Sequence, residues 1–216
     1  MRRFHPSSMF EVMSIFRALA APIAALVLAL PAQAEKLPLS ELSRYLNSLT
    51  TVEADFTQIN ADGTISTGTL RINRPGKIRF EYAPPDRSLV ISDGQQVAVF
   101  DPKSNQAPEQ YPLTRTPLNL ILASNIDLSR AKMVVAHREE ANTTRVTAQD
   151  PAHPEYGKID MVFSAKPTEL RQWVITDDSG AQTTLVLGEM RKGARLASRL
   201  FDIDGEITSR GIKQER

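Results

Sequence analysis

His153 lies in the segment Asp150-Pro151-Ala152-His153-Pro154-Glu155-Tyr156, where carboxylates flank an imidazole at short range. Such a trio has the chemistry of a divalent-metal ligand set or a general base. The two prolines stiffen the segment, so it reads as an exposed, solvated loop and not as a metal site. Asp202, Asp204 and Glu206 beside Gly205 share the acidic start of a calcium loop, but the remaining acidic positions of such a loop are missing. A hairpin turn accounts for them better. Arg138-Glu139-Glu140 likewise reads as a solvated turn.

The other constellations that carry chemistry are absent from the sequence. There is no Gly-x-Ser-x-Gly elbow, no His-Glu-x-x-His and no glycine-rich phosphate loop. With no cysteine among 216 residues, thiolate metal sites, a Cys nucleophile, disulfides and lipidation of an amino-terminal Cys are excluded. The expectation is therefore a protein that is not an enzyme and uses no cofactor and no metal.

Composition narrows the class further. Hydrophobic residues make up 41% and charged residues 24%, the balance of a globular domain. The net charge of +1 is no nucleic-acid footprint. Arg2, Arg3 and Arg17 precede an apolar run from Ala18 to Leu30, broken only by Pro22 and followed by Pro31-Ala32-Gln33-Ala34. That run is too short for the ~20 residues of a membrane-spanning helix, and the small-x-small ending suits cleavage after Ala34. An uncleaved anchor is the alternative, and Met9 or Met13 are alternative starts. Removal of residues 1–34 takes away three basic residues and one acidic residue, leaving a single domain over 35–216 with a net charge of −1. Export without cysteines fits a bacterial periplasm. With no heptads or long apolar stretch after residue 34, the exported form is expected to be a monomer.

Residue spacing sets the elements. Leu39, Leu42, Tyr45, Leu46 and Leu49 recur at helical spacing, with Ser40 as a candidate N-cap. From Val52 onward the period becomes two: Ile78, Phe80 and Tyr82 alternate with Lys77, Arg79 and Glu81, and Met161/Phe163, Trp173/Ile175 and Leu185/Leu187 repeat the rule. One face of the sheet is apolar and the other wet. Strands are expected near 52–60, 64–73, 77–82, 88–92, 96–101, 107–112, 131–137, 143–149, 158–164, 170–177 and 182–190, with a further one at 197–203. Turns fall at Asp62-Gly63, Asp93-Gly94, Arg138 to Asn142, Asp178-Ser179-Gly180 and Asp204-Gly205. A single sheet of about eleven antiparallel strands must curl into a barrel or half-barrel. Thr116-Pro117 opens a short apolar helix through Ser124, with Thr116 as N-cap and Pro117 first in the helix. It would serve as a plug at the barrel end or as a lid over an apolar cavity.

Ordered motifs run through most of this chain: Phe56-Thr57-Gln58; Gly68-x-Leu70-x-Ile72-x-Arg74-Pro75-Gly76-Lys77-x-Arg79-Phe80-x-Tyr82; and Leu89-Val90-Ile91-Ser92-Asp93-Gly94. Phe100-Asp101-Pro102 and Thr116-Pro117-Leu118 are weaker matches. In these the sequence resembles the outer-membrane lipoprotein carrier protein family, the periplasmic LolA chaperones. The resemblance implies a mainly β fold, an unclosed antiparallel β-barrel with short α-helices forming a lid over an apolar cavity. It also implies a function: carriage of acylated lipoproteins from an inner-membrane lipoprotein-releasing ABC exporter to an outer-membrane lipoprotein receptor. That receptor shares the fold but is anchored through an amino-terminal Cys, so this chain is similar to the soluble carrier.

Arg74 matches the family arginine that hydrogen-bonds lid carbonyls when the cavity is empty; a solvated arginine before Pro75 is the alternative. The candidate cavity residues are Ile78, Phe80, Tyr82, Val90, Leu118, Ile121, Leu122, Phe56 and Leu42, whose alternative role is ordinary core packing. Two departures stand out. Ile78 and Ala98 occupy positions where family members often carry larger aromatics, and the segment after Asp204 does not promise the extended carboxy-terminal strand of some members. A periplasmic sensor or adaptor half-barrel, binding lipoprotein or another lipid without delivering it, is the competing function.

Overall fold

The structure is a computed structural model that describes residues 36–104, 106–130 and 132–212; the expected signal segment 1–34 lies outside the described residues. Helix α1 (Leu39–Ser48) starts after Pro38, whose extended backbone takes the cap position. Ser40 is thus inside the helix and not its N-cap. Leu42 and Leu46 form the buried stripe.

Twelve strands follow: β1 (Thr51–Ile59), β2 (Ile65–Asn73), β3 (Lys77–Tyr82), β4 (Leu89–Asp93), β5 (Gln96–Phe100), β6 (Glu109–Pro112), β7 (Val134–Glu140), β8 (Thr143–Gln149), β9 (Lys158–Ala165), β10 (Thr168–Thr176), β11 (Gln182–Leu187) and the short β12 (Arg191–Lys192). They form one sheet in the order β6-β5-β4-β3-β2-β1-β11-β10-β9-β8-β7, with β12 also on β1. Every pairing is antiparallel, and the path has two ends, β6 and β7, so the barrel is unclosed. β1 is the pivot: β11 takes its second half, from Phe56 to Ile59, and β12 its first, at Val52 and Glu53. Arg138 to Glu140 continue β7, so the turn there contracts to Ala141-Asn142, with Ala141 at φ 53°.

Register explains one glycine. Gly68 lies opposite Phe56 on one side and Tyr82 on the other. The Phe56 ring meets Tyr82 edge-on with centroids 5.1 Å apart. A Cβ on Gly68 would stand 2.3 Å from the Glu81 carbonyl oxygen and 2.8 Å from the Phe56 ring. A strand glycine here is what close approach demands.

The predicted strand at 197–203 is absent. Ser198–Phe201 form a 3-10 turn, and Ile203–Ser209 form a helix. Asp202 caps that helix by accepting from the Gly205 N–H at 3.0 Å, so neither a hairpin turn nor a metal accounts for its carboxylate. Phe201, Ile203 and Ile207 pack on Leu89, Ile91, Ala98 and Phe100 as a second core on the outer face. Arg79 is buried beneath this segment, donating to the Leu200 carbonyl at 3.1 Å and pairing with Glu206 at 3.4 Å. The remaining short helix is α2 (Leu118–Leu122), and the helix over Ile203–Ser209 is α3.

Candidate functional site

The inner face of the sheet is apolar because alternate residues of every long strand point to it. Phe56, Ile78 and Phe80 share one buried cluster with Leu42 of α1 and with Leu118, Ile121 and Leu122 of α2. Tyr82 and Val90 pack at its margin. All nine residues singled out from the sequence are thereby brought to one interior. Ring edges lock the wall: Phe56 and Phe80 centroids are 5.7 Å apart, and Phe80 reaches across to Trp173 at 6.4 Å. Sequence reasoning left out the opposite wall, built from Met161, Phe163, Leu170, Trp173, Leu185 and Leu187. Their alternation was visible, but alternation assigns a face and not an enclosed partner. Tyr82 donates to Gln58 Oε1 at 2.7 Å, and burial pushes its hydroxyl up to about 12.

α1 and α2 cover this interior. The Thr116 hydroxyl donates back to the Leu113 carbonyl at 2.9 Å and does not cap α2; Pro117 occupies the cap position and Leu118 is first in the helix. Arg74, at the end of β2, ties the two helices together. Its Nε donates to the Ala123 carbonyl at 3.1 Å, Nη2 donates to that same oxygen and to Asn47 Oδ1 (3.2 Å), and Nη1 donates to the Leu46 carbonyl. A planar fork suits this geometry, because it can donate in several directions at once and stays charged. Burial pushes the Arg74 guanidinium down from the ordinary arginine range. The Gly76 N–H adds a bond to the Leu122 carbonyl at 2.9 Å, from a backbone at φ 76° that suits glycine.

Two polar residues of α1 complete the arrangement without having been expected. Asn47 Nδ2 donates to the Ile126 carbonyl at 2.7 Å, and its Oδ1 accepts from the Ile126 N–H at 3.0 Å. The Ser43 hydroxyl accepts from the Leu128 N–H at 2.9 Å. Their one sequence signal is the i, i+4 spacing beside the apolar stripe, which a solvated face would share. Two apolar grooves flank α2. One of about 340 Å³ lies between segment 125–128 and the inner ends of β8 and β9. The other, of about 620 Å³, lies between the start of α2 and the loops holding Tyr156 and Asp177.

The imidazole segment has spent its groups locally. His153 stacks on Tyr156 at 4.6 Å and contacts Glu155 Oε1 at 2.9 Å, while Asp150 accepts from the Ala152 N–H at 2.8 Å. Among the described residues no group of three or more His, Asp or Glu is placed to hold a metal ion.

An open antiparallel sheet curled over an apolar interior, with short helices tied across its mouth, defines a half-barrel class of fold. The family described as outer membrane lipoprotein carrier protein LolA matches residues 47–204, and the chain belongs to it. The chain is 29% identical to the outer-membrane lipoprotein carrier protein of Azotobacter vinelandii, over 88% of its own length and 94% of that protein's. It is 26% identical to the outer-membrane lipoprotein carrier protein of Coxiella burnetii, over 80% of this chain and 84% of the other. The crystal structure of a LolA superfamily protein from Nitrosomonas europaea aligns with a TM-score of 0.44 at 9% identity, covering 78% of this chain and 99% of that one.

Proposed function

We propose that this chain is a periplasmic carrier that takes acylated lipoproteins from an inner-membrane ABC exporter and hands them to an outer-membrane receptor. The solvation cost of the cargo sets the need. At ~0.8 kcal/mol per methylene, an acyl chain of about 14 methylenes costs on the order of 11 kcal/mol to expose to water. A dry interior offsets that cost. Release then requires that the empty container regain stability on closing, so that loading returns only part of the free energy.

The Arg74 fork is the single observation that carries the reading. It links the covering helices to the sheet through the Ala123 and Leu46 carbonyls, bonds that break if either helix lifts away. One side chain thus holds the carboxy-terminal ends of both covering helices, so both depend on the same contact. Phe56, Ile78, Phe80, Tyr82, Val90, Leu42, Leu118, Ile121 and Leu122 form the wall and covering that acyl chains would meet as α2 moves. Direction comes from the partners' successive affinities, since the sequence holds no nucleotide-binding loop.

Purification of the exported form from periplasm, followed by mass spectrometry of what accompanies it, tests the proposal. Triacylated lipoprotein is the expected cargo. Free phospholipid alone would make the chain a lipid adaptor, and the delivery role would be withdrawn.

A further inference from the structure

We infer that segment Asn125–Leu128 is a second gate, latched to α1 by Asn47 and Ser43, and that the groove beneath it is the port through which an acyl chain reaches the interior. The port rests on the carrier reading above; the gate does not. The Asn47 amide bonds both the N–H and the C=O of Ile126, at 3.0 and 2.7 Å, so one side chain reproduces a β-ladder pair. Ser43, one helical turn earlier, accepts from the Leu128 N–H at 2.9 Å. Among the described residues the strap pairs with no strand; Asn47 and Ser43 hold its backbone to α1, and its Ile126 and Leu128 side chains are buried in the interior cluster. Asn47 also accepts from Arg74 at 3.2 Å, which joins this latch to the one on α2.

The groove of about 340 Å³ has the strap as one wall, with Ile126 and Leu128 facing it. The opposite wall includes Leu46, Ala148 and Met161, which belong to the buried interior cluster. Raising the strap therefore uncovers Leu46, Ala148 and Met161 of the interior cluster, with Leu120 and Ile121 of α2 lining the same groove. An acyl chain is the occupant that the apolar part of this lining takes, and the exposed Asn125, Asp127 and Arg130, the last two paired at 3.7 Å, offer polar and charged groups where its head would remain.

The sequence has no cysteine, so Met161→Cys places a unique thiol beneath the strap. Its rate of reaction with a maleimide measures gate opening with no cargo present, and Trp173 fluorescence reports that each variant is folded. In this background Asn47→Ala removes the latch, and reactivity should rise about tenfold, as expected for loss of two neutral hydrogen bonds from the closed state. Asn47→Asp separates the two latches: it keeps acceptors for Arg74 and the Ile126 N–H but sets a carboxylate against the Ile126 carbonyl. A rise with Asp as well as with Ala supports the strap gate. A rise with Ala alone would show that Asn47 acts through Arg74, and no rise in either would also overturn the gate. Ser43→Ala, the milder variant, should give about a threefold rise. Palmitate in excess should slow the maleimide reaction of the opened variants. If palmitate alters Trp173 fluorescence but leaves the thiol unprotected, the port is wrong and the carrier reading stands. If it neither alters the fluorescence nor protects the thiol, the carrier reading itself fails.

Discussion

Replacing Arg74 by leucine keeps an apolar stem of similar reach and deletes the fork. Four donations disappear, but two of them share the Ala123 oxygen, so the closed state loses ties to two carbonyls and one amide oxygen. Hydrogen bonds with a charged partner are worth ~1.5–3 kcal/mol each. Arg74 is only half-buried, so the lower figure applies to each carbonyl, giving ~3 kcal/mol, or roughly a hundredfold shift of the closed-to-open equilibrium. The Gly76–Leu122 backbone bond survives and keeps α2 near the mouth. Binding of a fluorescent acyl probe should therefore tighten by up to about a hundredfold and its release should slow in proportion. Arg74→Lys, with a point charge in place of a fork, should fall between the two. An unchanged dissociation constant and release rate in a folded Arg74→Leu protein would refute the latch.

Phe80→Ala should destabilise urea unfolding by ~3–5 kcal/mol, because Phe80 is buried between Phe56 and Trp173 in the closed form; a loss near ~1 kcal/mol would mean that its surroundings collapse or are already empty. Gly68→Ala should cost at least ~1–3 kcal/mol through overpacking, since the added methyl would sit 2.3 Å from the Glu81 carbonyl; a thermal midpoint equal to wild type would contradict the register. His137 is held below the ordinary histidine range by burial, then by nearby Lys36, against a bond from Nε2 to the Leu37 carbonyl. Its folded pKa is depressed, so the stability it contributes is present above about pH 6.5 and is lost as pH falls through the folded value. The thermal midpoint of wild type should thus drop between pH 7 and 5 by more than that of His137→Gln, and equal drops would exclude His137 as the cause.

Strands were legible in this sequence wherever one face was wet, as in Ile78-Arg79-Phe80-Glu81-Tyr82. The carboxy-terminal segment was misread for a physical reason. Leu196, Leu200, Ile203 and Ile207 recur at helical intervals, but Asp202 and Gly205 between them carry the composition of a turn. Asp202 is in fact a cap, and the segment's partner, the outer face of β4 and β5, is invisible to local pattern. Five of the nine interior residues lie on strands, all of them within β1 to β4, and the other four on α1 and α2. Trp173 and Met161 alternate just as clearly, but only the curl of the whole sheet brings Trp173 against Phe80. Arg74 drew notice through the family motif, whereas Ser43 and Asn47 did not, because a polar residue facing a strap and one facing water look alike in sequence.

Carriage requires that the apolar interior open to hold the acyl part of a lipoprotein and close again when the cargo leaves. The test is to incubate a chain of residues 35–216 with energised inner-membrane vesicles that contain an ABC exporter and a labelled triacylated lipoprotein. The lipoprotein should appear in the soluble fraction as a one-to-one complex with this chain, and the complex should empty on addition of outer-membrane vesicles. Lipoprotein that stays with the inner-membrane vesicles, in the presence of a folded chain, would contradict carriage.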